Sequence, residues 1–172
     1  IAWQDGNLPS MNTHTWTSNN EFIYVMYSRT FYQMSLANEF LRQSTPEKLG
    51  TRTVDPAILS DMASYRAEAR FLRALSLYHA MDLFGRVPIV TENDPVGFFY
   101  PEQKDKAEVF AFLVKELTEM DADLKPSRAN EYGRVDKVAA RMLLAKLYLN
   151  AEVYIGQNKY AEAGTALADV LN

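Results

Sequence analysis

From Ala57 to Phe84 the chain carries neither glycine nor proline. That uninterrupted stretch constrains the fold more than any other feature. Asp55-Pro56 ahead of it supplies a capping side chain and a first-turn proline, so the stretch reads as one long helix ending near Phe84. Its first half is amphipathic, with Ile58, Met62, Tyr65, Ala69 and Leu72 three or four apart. Its second half, from Phe71, is apolar on nearly every side and is broken only by Arg73, Ser76, His79 and Asp82. A helix of that kind must be covered by neighbours on several faces. Gly85 suits a left-handed cap, and Pro88 blocks continuation.

The covering elements read as helices too. Ser18 and Glu21 fit a capping box ahead of a wide apolar face running through Phe22, Met26 and Phe40, which predicts a helix over 18–42. Residues 43–54, with Pro46 and Gly50, read as a loop. Residues 87–103 hold three prolines and Phe98-Phe99-Tyr100 and read as a long connector, with 87–90 a candidate extended piece. A third helix is predicted over 104–124 on the stripe Val109, Leu113, Leu117, Met120 and Leu124. A fourth, apolar all round, spans 135–150, and a fifth starts near Asn158 and runs to the end. Residues 1–16 show no period and read as irregular.

Composition enters as exclusion. A formal charge of −4 offers no basic field for a phosphate backbone, so nucleic acid is not an expected partner. No run approaches the roughly 18 apolar residues of a spanning helix. Without cysteine there is no disulfide framework, thiolate metal site or cysteine nucleophile. No Gly-rich phosphate loop, nucleophile elbow or spaced carboxylate pair stands out, so catalytic residues are none and no cofactor is expected. His79 and Asp82 lie three apart, but no second histidine is near and a metal is not expected. The first residue is Ile1 and no charged-then-apolar leader precedes it, so the chain reads as a mature or excised piece of something longer.

The last two helices repeat a tetratricopeptide pattern. Leu144-Ala145 followed by Tyr148 matches the first helix of such a pair, and Tyr160, Ala163 and Leu167 match the second. Small residues let helices approach and aromatics fill the gaps between pairs. The connection 151–157 is longer than a tight repeat turn, and Leu77-Tyr78 overlays Leu147-Tyr148 as a weaker second copy. The expectation is an all-α fold, antiparallel helices in a tetratricopeptide-like right-handed solenoid segment, with about five main helices and long connecting loops. Such a segment needs further protein as a cap.

The joints between these pieces are more specific. The run Ala67-Glu68-Ala69-Arg70-Phe71-Leu72-Arg73-Ala74, continuing to Leu83-Phe84-Gly85-Arg86-Val87-Pro88, resembles the most recognisable block of the SusD/RagB family. Gly133-Arg134-Val135, leading to Ala145-Lys146-Leu147-Tyr148-Leu149-Asn150, is similar to a second block, and Asn38-Glu39-Phe40-Leu41 to the usual ending of the first helix. The resemblance covers about residues 16–172, and the whole chain 1–172 is read as the family's N-terminal helical region. It implies a non-enzymatic, surface-exposed lipoprotein of the Bacteroidetes outer membrane that captures oligosaccharide or polysaccharide for a TonB-dependent, SusC-like transporter. Membrane association would come only through a lipid anchor absent from this chain, and ligand loops from a further C-terminal part. The alternative is a tetratricopeptide-like protein–protein interaction scaffold without direct sugar binding.

Sugar recognition pairs an aromatic face with amide or charged groups that satisfy hydroxyls. That combination is richest before the first long helix: Trp16 first, then Trp3 and Asn12, with Asn19 and Asn20 beside them. Trp16 reads more readily as a staple packed onto that helix, since a tryptophan near a helix start is more often buried than a ligand platform. Phe98, Phe99 and Tyr100 read as a second aromatic surface or, preferred here, as a plug covering the apolar flank of the long helix. Tyr24, Tyr27, Phe31 and Tyr32 read as core. Arg70, Arg73 and Arg86 suggest ion pairs tying the long helix to its connector and to acids of the third helix.

Overall fold

A computed structural model describes Gly6 and residues 8–171. The elements run α1 (Leu8–Asn12), α2 (Glu21–Gln43), α3 (Pro46–Gly50), α4 (Pro56–Phe84), β1 (Val87–Pro88), β2 (Gln103–Lys104), α5 (Lys106–Met120), α6 (Lys137–Leu149), α7 (Ala151–Ile155) and α8 (Tyr160–Leu171). The fold is all-α and tetratricopeptide-like. The five long helices are those expected, and the extended piece at 87–90 pairs antiparallel with β2, Val87 opposite Lys104 and Pro88 opposite Gln103.

Helix boundaries follow capping chemistry. Asp55 accepts from the Ala57 amide at 2.8 Å, Pro56 fills the first turn, and Gly85 closes α4 at φ +81°. Asp105 and Glu108 form a reciprocal capping box at 2.9 and 3.0 Å, which starts α5 two residues later than expected. The expected Ser18–Glu21 box is not the cap of α2. Asn20 takes that role, its Oδ1 accepting from Phe22 N at 3.0 Å and Ile23 N at 3.3 Å, which leaves Glu21 as the first helical residue. The segment read as a loop contains α3, capped by Thr45 ahead of Pro46. Likewise, the long connection after α6 folds as α7, ended by left-handed Gly156.

The helix apolar on all sides is enclosed on several of them. α4 packs on α2 through Ala67, Ala74 and Leu77, which share a core with Met34, while α5 contributes Val109, Leu113, Leu117 and Met120. α5 in turn packs on α6 and α7, and α6 on α8, whose Ala163 and Ala166 are buried. Alanines at 67, 69, 74 and 80 of α4 are buried, so small residues sit where helices approach closely. Among the described residues, α4 is the helix with which α2 packs most extensively. Tyr24, Tyr27 and Tyr32 are exposed, contrary to the core reading, whereas Phe31 is half-buried, its ring 4.5 Å from that of Tyr27. The apolar stripe of α2 is wider than α4 can cover.

Candidate functional site

Trp16 stands at the end of the α2–α4 pair where α2 starts and α4 stops. Its ring is 46% exposed and lines an apolar groove of about 390 Å³ with Met11, Phe22, Ile23, Met26, Leu83 and Phe84. His14, held in the left-handed region at φ +56°, meets the indole edge-to-face at 5.6 Å. Trp16 thus lies beside the start of α2 with nearly half of its surface in solvent. Asn12 and Asn19 are exposed. Asn20 is not available to a ligand: it is 3% exposed, caps α2, and donates from Nδ2 to Ser10 Oγ at 3.0 Å. Trp3 lies outside the described residues. Met11, Leu83 and Phe84 complete the groove and were not singled out from sequence, because residues 72 positions apart meet only through the antiparallel pairing of α2 with α4.

The connector between β1 and β2 carries the second aromatic group, and its placement corrects the plug reading. Phe98 and Tyr100 are each 87% exposed and meet edge-to-face at 5.0 Å. Only Phe99 is half-buried. Besides Val87 and Ile89, which join the core, polar groups anchor the connector. Asn38 donates to the Val90 carbonyl at 2.9 Å, Arg42 Nε to the Glu92 carbonyl at 3.1 Å, and Asp94 accepts from Thr91 N and Oγ1 at 2.7 and 3.0 Å.

Beneath that anchor sits a buried charge network. Arg73, buried on α4, donates to Asn38 Oδ1 at 2.9 Å, to Glu116 at 2.8 Å and to Glu92. Arg70 holds the same Glu116 through two bonds, 2.7 and 3.2 Å, and reaches Glu119 at 2.9 Å. Burial pushes the Glu116 and Glu92 carboxyls up, but the hydrogen bonds and charges of the arginines outweigh it and hold both below the usual carboxylate range. The arginines thus tie α4 to its connector and to α5; Arg86 is exposed. Glu68, one turn earlier, is taken by Arg134 at 2.8 and 3.1 Å instead. A cleft of about 640 Å³ opens beside the network, lined by Leu59, Met62, Arg66 and Arg70 among others. Arg66 is already bound to the Leu41 carbonyl and Ser44 Oγ.

His79 lies against the Tyr78 ring, and Asp82 accepts from the Tyr154 hydroxyl at 2.6 Å, so the two do not converge on a shared site. Among the described residues no group of three or more His, Asp or Glu is placed to hold a metal, and no helix is long and apolar enough to cross a membrane.

No family model matches the chain. It is 34% identical over 165 residues, 94% of its length, to the starch-binding protein SusD of Bacteroides thetaiotaomicron. It spans about a quarter of that relative, 27%. Among solved structures it is similar to a SusD-like carbohydrate-binding protein from Bacteroides fragilis, with TM-score 0.76 and 23% identity over 98% of this chain and 31% of that one. A laminarin-binding SusD-like protein matches with TM-score 0.66 and 26% identity over 84% of this chain and 29% of its own.

Proposed function

The chain belongs to the SusD/RagB family, and from that premise we propose that it serves non-enzymatic capture of a glycan at the bacterial outer-membrane surface, handing oligosaccharide to a TonB-dependent, SusC-like transporter. The single observation that carries the reading is the 34% identity to a starch-binding protein, sustained across nearly the whole chain. Capture needs no bond chemistry. It needs a rigid frame, an aromatic face for the apolar side of a pyranose, and amides for its hydroxyls. The helical frame supplies the first. Trp16, with exposed Asn12 and Asn19 next to the groove-lining residues in the chain, supplies the others. Trp3, in the same stretch of sequence, is proposed as an additional contact. Asn20 belongs to the frame, because its amide is committed to the helix start.

Affinity electrophoresis of the full-length protein against a panel of neutral polysaccharides tests this. Retardation by at least one glycan is expected, reduced about tenfold in affinity by Trp16→Ala, as loss of roughly 1.4 kcal/mol of stacking requires. No retardation by any member rejects capture, and equal retardation of Trp16→Ala rejects the site. The alternative, a protein-binding scaffold, draws on the exposed Tyr24, Tyr32 and Leu36 of α2. It predicts no glycan retardation at all. A transporter gene adjacent to this one would favour capture over a free-standing scaffold.

A further inference from the structure

Among the described residues, only His14 and Arg128 are side-chain-bearing residues in the left-handed region. His14, at φ +56°, lies two residues beyond α1, and two backbone bonds define the turn around it. Thr15 N donates to the Ser10 carbonyl at 2.9 Å and His14 N to the Met11 carbonyl at 3.4 Å. Those bonds make a Schellman ending, whose left-handed position glycine usually fills because it has no Cβ to strain. The threonines on either side tighten the turn. Thr13 Oγ1 donates to the Pro9 carbonyl at 2.9 Å and shares a 2.9 Å hydrogen bond with Thr15 Oγ1. Glycine would form this turn with less strain, so the reason for an imidazole is to be sought in what its ring touches.

That ring touches Trp16. The two centroids are 5.6 Å apart with 66° between the planes, inside the range of an edge-to-face pair. His14 is exposed and is not one of the residues lining the apolar groove, so its ring fills no part of that packing. The backbone that carries Trp16 is fixed on both sides: Thr15 by its bond to Ser10, and Asn20 by its amide bond to the Thr17 carbonyl at 3.0 Å. What that bracket leaves free is the torsion of a tryptophan side chain that is nearly half exposed. An exposed ring ordered before binding loses less freedom when its partner arrives. We propose that His14 is a positioning residue for Trp16: held on a left-handed turn, its ring sets the orientation of the indole for stacking and does not itself touch the ligand. This rests on the glycan-capture reading above and adds to it the side chain that sets the platform.

The test pairs thermal melts with affinity electrophoresis of the full-length protein, for wild type, H14G and H14F, on a panel of neutral polysaccharides that includes soluble starch, laminarin and xyloglucan. Glycine suits the turn, so H14G should melt no lower than wild type and yet bind about three- to tenfold more weakly to whichever glycan retards wild type. Phenylalanine keeps a ring but strains the turn, so H14F should melt no higher than wild type and still bind within about twofold of it. A role confined to the turn predicts the reverse order, with affinity following stability. H14G that binds like wild type overturns the proposal and leaves capture standing. Equal losses in H14G and H14F overturn it as well, because they assign the imidazole nitrogens a direct contact. Wild type retarded by no member of the panel rejects capture itself, and this inference with it.

Discussion

Arg73 shows how much one side chain determines here. It is a cation placed where α2, α4, α5 and the connector come together, and it binds Asn38, Glu92 and Glu116 at once. Removing one member of a buried ion network leaves its partners charged and dry, which costs about 3–5 kcal/mol. Arg73→Met should therefore lower the unfolding free energy by that amount in urea titration, whereas Arg86→Met, at an exposed position, should change it by less than about 0.5 kcal/mol. Equal effects would mean that charge count, and not this geometry, is what matters. Asn20 acts on a smaller scale: Asn20→Ala removes a cap and should cost about 1 kcal/mol. The hydrogen bonds of Asn20 run to Phe22, Ile23 and Ser10 and those of Arg73 to Asn38, Glu92 and Glu116, so the two costs should add.

At the scale of elements, the helices were legible because their signals are local. Pro56 after Asp55, glycine-free α4, and Gly85 before Pro88 placed that helix almost to the residue. At the start of α2, spacing alone chose Ser18 wrongly; the cap is Asn20, whose side chain also donates to Ser10 of α1. The short helices α1, which lies within the stretch 1–16 read as irregular, α3 and α7 were missed since a single turn has no period to read. The aromatic connector was misjudged for a different reason. Hydrophobic residues in a loop suggest burial, yet polar anchors from α2 and α4 hold this loop and the rings of Phe98 and Tyr100 are left outside. Nothing in a linear pattern reports that Asn38 will meet Val90, and the groove around Trp16 was equally invisible in its distant half. Gly85 gives the element-scale prediction. Its φ of +81° is strained for any side chain, and an added Cβ would sit 3.6 Å from Lys106 Cε, an ordinary contact. Gly85→Ala should thus cost about 1–2 kcal/mol through backbone conformation alone, read as a lower urea midpoint with an unchanged slope.

For the molecule as a whole, the layers α2, α4 and α5 are joined by apolar packing and by one acid–base network, so acid should act on them together. Glu116 and Glu92 have carboxyls held below their unfolded values by Arg70 and Arg73 against the opposing effect of burial. Such groups contribute stability that is fully present above the unfolded value of about 4.3 and is lost as pH falls through the lower folded value. The melting temperature should be level from pH 7 to about 5 and fall below about 4. Glu116→Gln should be markedly less stable than wild type at pH 7, and the gap should close with acid, because a protonated Glu116 already resembles glutamine. A gap that stays constant down to pH 3 would place the stabilisation in packing and not in charge. The alkaline limit has another origin. Burial, with the hydrogen bond to Asp82, raises the Tyr154 hydroxyl, so its contribution is complete below the unfolded value of about 10 and is lost above it. Tyr154→Phe should flatten that arm while leaving the acid arm in place. The two arms report on different joints, α4 with α5 and α2 for acid, α4 with α7 for base. Independent response to the two substitutions would establish that the helical frame is held at each joint by its own polar contact.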